Sequence, residues 1–238
     1  MGASIEDGNC SADWKDLLEH GIYLREKGDP GDLKKSVDVF IQAYGIAPRL
    51  EDKMDILNHL GLAYFHLKDY PNAINAWNKV LVVSNVQSPP LLKSKAVALR
   101  NLSRKQFCES ENDFKTALEK ACEARDLAVK LEMPNLVWFT HGLFSAKQAL
   151  MKFQKRADAE VLEELKETAR TEKNELKKVW KETSKMQRNV WLGGLLMDYA
   201  VVYNKVSKPL LKVARFFAKL QNLKRREEQI DELLKEIG

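Results

Sequence analysis

With 45% apolar and 31% charged residues but only 11 glycines and 7 prolines, the 238-residue chain can bury a real core and favours helices over strands. Its formal net charge of +5 is too mild to imply nucleic acid by itself. The three cysteines, Cys10, Cys108 and Cys122, have no CxxC spacing, which argues against a disulfide framework or a zinc site and fits a reducing, cytoplasmic compartment.

The N-terminal stretch MGASIEDGNC has no basic start and no apolar run, so it does not read as a signal peptide. Glu6 stands where a myristoylation motif needs Ser or Thr. Residues 1–12 are small and polar and read as disordered. A first helix is expected from Asp13–Trp14, capped by Asp13 or Ser11, with Leu17, His20, Gly21 and Leu24 in phase. Lys27 to Asp32 breaks it in what reads as a lengthened loop. A second helix then carries Ser36, Phe40 and Ala43 and ends before Pro48.

Leu57 to Val80 is the strongest stretch. It reads as two short amphipathic helices joined at Lys68-Asp69-Tyr70, the first with Leu57, Leu60, Gly61 and Tyr64, the second with Ala73, Trp77 and Val80. Gly61 and Ala73 are small enough for two backbones to approach, and Tyr64, Tyr70 and Trp77 fill the space around that contact. A helix pair this short cannot bury its apolar face alone and needs similar neighbours.

After a turn-rich break from Ser84 to Pro90 come Leu99, Leu102, Ser103 and Gln106, a polar loop at Cys108–Asp113, then Ala121, Arg125 and Ala128, closed by Pro134. Trp138, His141, Gly142 and Ser145 open a fourth unit, whose partner helix starts near Ala157. Leu17, Leu57, Leu99 and Trp138 are separated by 40, 42 and 39 residues, and so are Gly21, Gly61, Ser103 and Gly142. A near-constant spacing of small residues is a repeat signature.

Beyond residue 156 the pattern changes. A long charged helix with a heptad-like seam is expected through Leu162, Leu165, Ala169, Leu176 and Val190, weakened by Gly193-Gly194. A second seam runs from Leu192 to Leu220, with Pro209 kinking or restarting the helix and Ser207 as its cap. The final RREEQIDELLKEIG is a short amphipathic helix. Val190 to Tyr203, the longest apolar run, holds Asp198 and is too short to span a bilayer.

Leu57-x2-Leu60-Gly61-x2-Tyr64 followed by Ala73-x3-Trp77 resembles the tetratricopeptide repeat (TPR), with Leu57 in the usual place of Trp, Trp77 in that of Phe, and Asn85 where Pro is common. The phrase ACEARDLAVKLEMPNLV resembles enlarged TPR-like repeats of regulatory and scaffolding proteins, and the resemblance covers residues 14–160. It implies a TPR-like α-solenoid of about four helix pairs over residues 13–155, and with the long C-terminal helices that the seams predict over 156–238 the chain is expected to be all-α. It also implies a non-enzymatic adaptor, scaffold or regulatory subunit that holds another protein or peptide in a concave groove. A peptide-sensing regulator is a further alternative.

In the family, set positions of each first helix line that groove. Here they are Asp55, Asn58, Leu62, Phe65 and His66; then Val97, Arg100, Arg104, Phe107 and Cys108; then Leu136, Phe139, Leu143, Ala146 and Lys147. Arg100 and Arg104, one helical turn apart, would meet a carboxylate of the partner. Leu18, Ile22 and Leu62 stand where some members carry a clamp for a C-terminal carboxylate, which argues against that mode.

Eight basic residues (Lys205, Lys208, Lys212, Arg215, Lys219, Lys224, Arg225 and Arg226) and no acidic one lie between positions 205 and 226. Val206, Leu210, Val213, Phe217 and Leu220 form the adjoining apolar stripe. The simpler reading is that this stripe caps the solenoid while the lysines face water. The alternative is a peripheral membrane- or nucleic-acid-associated helix. The C-terminal seams also suit self-association.

Catalysis has little support. His20 and His141 sit at equivalent repeat positions and read as packing residues. His59 and His66 have no third ligand at a familiar spacing. Glu163-Glu164 and Glu227-Glu228 read as solvated helical faces. No phosphate loop, GxSxG or HExxH is present, and neither a cofactor nor a metal is expected.

Overall fold

A computed structural model describes residues 13–83, 88–155, 158–203, 207–220 and 224–237. They form eleven α-helices and one 3-10 turn, with no strand among the described residues. The chain divides into two compact units, Met1–Ala98 and Leu99–Gly238, the division falling within the fifth helix. The expected disordered segment 1–12 and most of the break after Val83 lie outside the described residues.

In the first unit α1 (Trp14–Lys27) starts at Asp13, whose carboxylate accepts a hydrogen bond from the Lys15 amide at 3.3 Å. Gly28, at φ 77°, ends the helix in the left-handed conformation that glycine adopts at no steric cost. Next, α2 (Pro30–Ile46) begins with Pro30, where a missing N–H costs nothing. Only Gly28 and Asp29 therefore join the two helices, and the lengthened loop expected here is absent because Gly31 and Asp32 are helical. The following pair is α3 (Leu50–His66) and α4 (Tyr70–Val83), joined at Lys68 with φ 63°. The helix α5 (Pro89–Leu102) then begins on two prolines.

Close approach in each hairpin is set by one glycine and one aromatic ring. A methyl group at Gly21 would stand 2.5 Å from Phe40, and one at Gly61 would stand 2.5 Å from the Trp77 indole nitrogen. Both rings are fully buried. A buried indole removes roughly 150–250 Å² from water, which at ~25 cal/mol per Å² is worth about 4–6 kcal/mol.

In the second unit the chain leaves the helix after Leu102. Arg104 is extended (φ −75°, ψ 137°) and precedes a 3-10 turn, Lys105–Phe107. A capping box between Ser110 and Asp113 then starts α6 (Glu111–Lys130). It packs on α7 (Leu136–Phe153), which packs on α8 (Ala159–Val179). So α8, which begins after its Asp158 cap, is the partner helix expected near Ala157. It does not run on to Val190: it stops at Val179, and α9 (Lys185–Val202) restarts from a Ser184 cap. The α8 residues Leu165, Ala169 and Leu176 are consumed inside the unit, against Phe144, Val202, Val137 and Leu195.

Finally α10 (Ser207–Leu220) packs between α9 and α11 (Lys224–Ile237). Its buried face is Leu211, Ala214 and Ala218, met by Met197, Ala200 and Ile230. That corrects the expected stripe: Val213 and Leu220 are exposed, while Leu210 and Phe217 are only partly buried. No helix among the described residues is long and apolar enough to cross a membrane.

Candidate partner-binding site

Several of the expected groove residues turn inward and are buried. Asn58 is 3% exposed; its amide donates to the Ser94 carbonyl at 3.1 Å and its own backbone carbonyl accepts from the Trp77 Nε1 at 3.4 Å. Phe65 is buried, its ring 5.6 Å from Tyr70 and 6.4 Å from Trp77. Of the set on α3, Leu62 is half-buried and His66 exposed.

In the second unit Phe139 is buried edge-on to Trp138, and Leu143 is half-buried. The guanidinium of Arg100, 8% exposed, lies 4.4 Å over the Trp138 ring and against Gly142. Arg104 donates from Nη2 to Asn101 Oδ1 at 2.9 Å. The helix end at Leu102 separates the two arginines, so they do not form the expected one-turn pair. Phe107 is half-buried in the 3-10 turn.

A depression of about 310 Å³ opens in the first unit between α2, α3 and α4. Its apolar wall is Tyr44, Met54, Leu57, Val82 and Val83, and its polar rim is Asn75, Asn78 and Lys79. Met54 and Leu57 form a buried floor, whereas Val82 is 73% exposed. Family groove positions fall on first helices alone, so counting them does not reach this site. One local signal marks it in the sequence: Val82 recurs at helical spacing with Asn75, Asn78 and Lys79, on the side of α4 opposite its buried stripe.

A second cavity, about 260 Å³, lies in the second unit and includes Arg125, Thr140, Leu143 and Lys147. Its charges are internally matched. Arg125 donates to Glu175 at 2.8 Å and to Thr140 Oγ1 at 3.0 Å, while the Thr140 hydroxyl donates to Glu175. Lys147 reaches Thr168 at 3.3 Å and Glu164 at 3.7 Å.

Two histidines have specialised surroundings. Burial first, and the neighbouring Arg25 charge second, push the His59 imidazole down to about 3. It stays neutral, and its Nδ1 lies 2.7 Å from Arg25 Nη1, which can only donate. His141 is 2.7 Å from Asp198 and 3.8 Å from Glu172, both carboxylates being buried. One ligand atom from each of the three lies within 4.8 Å of the others, a donor set that would suit a divalent cation and equally forms an internal ion cluster. By contrast His20, expected to pack like His141, is exposed. Burial raises the Cys108 and Cys122 thiols, the reverse of what a thiolate nucleophile requires.

Of the basic helix, Lys208, Lys212 and Lys219 are exposed, and Arg215 pairs with Asp231 at 3.2 Å. Lys224, Arg225 and Arg226 occupy the first turn of α11, while Lys205 and Val206 lie outside the described residues.

This architecture is that of TPR-like helical repeats. The chain is similar to the crystal structure of a Podosopora anserina putative kinesin light chain with nearly identical TPR-like repeats, at 18% identity and a TM-score of 0.52, covering 87% of this chain and 98% of that one. A single-residue variant of the same protein superposes with a TM-score of 0.53 at 17% identity, covering 88% and 98%. The chain is thus an all-α protein with a TPR-like repeat fold. No protein-family model and no curated protein matches it.

Proposed function

We propose that the chain is a non-enzymatic protein-interaction module, an adaptor, scaffold or regulatory subunit that holds a segment of a partner protein on its repeats. Folds of the TPR-like kind serve in general as protein-binding scaffolds, although the fold alone names no partner. The observation that carries the reading is the depression in the first unit, with its buried Met54–Leu57 floor and its exposed Val82 edge. An apolar side chain of a partner helix or strand would displace water there. Asn75 and Asn78 would pair with backbone groups beside it, and Lys79 with a carboxylate. Leu62 and His66, and in the second unit Leu143, Phe107 and Arg104, are among the accessible members of the expected groove set and are proposed as secondary contacts.

The test uses the full chain as bait in a nuclease-treated native extract. It is compared with Tyr44→Ala/Val82→Glu and with Leu62→Glu/His66→Glu, each checked for helicity. The depression variant is expected to lose the retained protein and the first-helix variant to weaken its capture. If both folded variants retain the same protein as the parent, the reading is wrong.

A further inference from the structure

The rotation of α10 about its axis leaves an apolar ridge exposed. Ser207, Leu211, Ala214 and Ala218 are buried and share one face. At about 100° per residue, Pro209, Val213, Phe216 and Leu220 fall on the opposite face. Val213, Phe216 and Leu220 are 46%, 62% and 56% exposed. Lys208, Lys212 and Lys219 run as a row along one flank between the two faces, and all three are exposed. Arg215 on the same flank is turned toward Asp231 of α11 at 3.2 Å. No Asp or Glu occurs in α10 or anywhere between positions 205 and 226.

We infer that this face of α10 docks on the surface of an anionic lipid bilayer, with Val213, Phe216 and Leu220 entering the headgroup–acyl boundary and Lys212 and Lys219 meeting the lipid phosphates. Both halves of the surface bear on the choice of occupant. An exposed aromatic and aliphatic ridge beside an all-basic row is the combination that gives interfacial helices two weak signals, apolar insertion and charge attraction, which are sufficient only together. A nucleic acid would use the lysines and leave the ridge in water. A second copy of the chain docking antiparallel through the same face would bring like-charged rows together. The lysine stems also suit a membrane surface, since they can lie along the ridge while the ammonium groups stay at headgroup level. The surface does not depend on the depression in the first unit.

The experiment is co-sedimentation of the full chain with vesicles of phosphatidylcholine alone and with vesicles of phosphatidylcholine mixed with phosphatidylserine, whose anionic headgroups attract basic segments. Two double variants are run beside it, Lys212→Gln/Lys219→Gln and Phe216→Ser/Leu220→Ser. All four positions are exposed, so both variants should keep the parent circular dichroism and melting temperature.

The expected result is binding to the anionic vesicles and little to the neutral ones, with partition about thirtyfold weaker for the lysine variant. The Phe216/Leu220 variant should lose binding to a comparable degree, and raised salt should weaken the parent. Three outcomes overturn the inference. One is that the folded parent does not sediment with anionic vesicles. Another is that binding ignores Phe216 and Leu220, which would reduce the effect to charge alone. The third is that α10 variants instead alter oligonucleotide binding, or alter self-association in sedimentation equilibrium, with vesicle binding absent.

Discussion

The same repeat position is filled by opposite chemistry in the two units. At Gly21 and Gly61 in the first unit, an aromatic ring from the second helix of the same hairpin occupies the gap, Phe40 in one case and Trp77 in the other. At Gly142 in the second unit the neighbour is Arg100, whose guanidinium is sandwiched between Trp138 and the α7 backbone. Around it the second unit buries further polar groups, the Arg125–Thr140–Glu175 set and the His141–Glu172–Asp198 set. A repeat spacing therefore specifies that helices approach closely, not what mediates the approach. An apolar wedge stabilises through area removed from water, whereas a polar wedge stabilises only while every partner remains in place.

The largest effect should come from removing the apolar wedge. Trp77→Ala should cost the fold about 3–5 kcal/mol, read as a lower urea midpoint, because the ring is fully enclosed. A loss below about 1 kcal/mol would mean that the hairpin does not rest on its indole.

The polar wedge gives a different signature. Arg125→Met should destabilise by about 2–3 kcal/mol, since it strands the buried Glu175 carboxylate while Arg125 itself keeps some contact with water. Replacing both, as Arg125→Met/Glu175→Leu, should recover most of that loss. If the double variant is as unstable as the single, the pair contributes packing rather than charge compensation.

Adding one methyl group compares the two units directly. Gly61→Ala should cost about 2 kcal/mol, because the methyl would meet a rigid indole at 2.5 Å. At Gly142 the contact is with Arg100 Nε at 3.0 Å and Cγ at 3.2 Å, on a side chain that can shift by a few tenths of an ångström. There the helix-propensity gain of about 1 kcal/mol offsets the crowding, and Gly142→Ala should leave stability within about 0.5 kcal/mol of the parent. Equal costs at the two sites would erase the distinction.

The smallest effect is one of pH in the first unit. His59 titrates at about 3 in the fold, against an ordinary 6.5. Between those values the unfolded chain carries a proton that the folded chain does not, so stability falls as pH drops below about 6.5. By pH 5 the parent should lose about 1–2 kcal/mol more than His59→Gln, which cannot titrate yet still offers Arg25 an acceptor. Parallel urea midpoints for parent and variant at both pH values would contradict this.

Legibility in the sequence differs by feature. The clearest local signals are the Asp13 cap, the small residues Gly21, Gly61 and Gly142 (Ser103, the fourth of the series, lies just past the end of its helix), the turn at Lys68–Tyr70 and the restart near Pro209. Each is a property of a few neighbouring residues. The groove is less legible. Counting family positions along α3 and α7 places Asn58, Phe65 and Phe139 toward a partner, whereas all three are buried, Asn58 in a hydrogen bond to the Ser94 carbonyl of the next repeat. Counting through Leu102 places Arg104 on a helix that has already ended.

From its sequence alone this chain is all-helical, with its repeat phase and most of its breaks marked by glycine, proline and capping residues, because those depend on local backbone preference and helical period. Tertiary structure alone decided which face each helix turns inward. A helix of period 3.6 with apolar residues on two sides, such as α10, has two defensible buried stripes about half a turn apart. Only the neighbours Met197, Ala200 and Ile230, brought from α9 and α11, selected Leu211, Ala214 and Ala218 and left Val213, Phe216 and Leu220 outside.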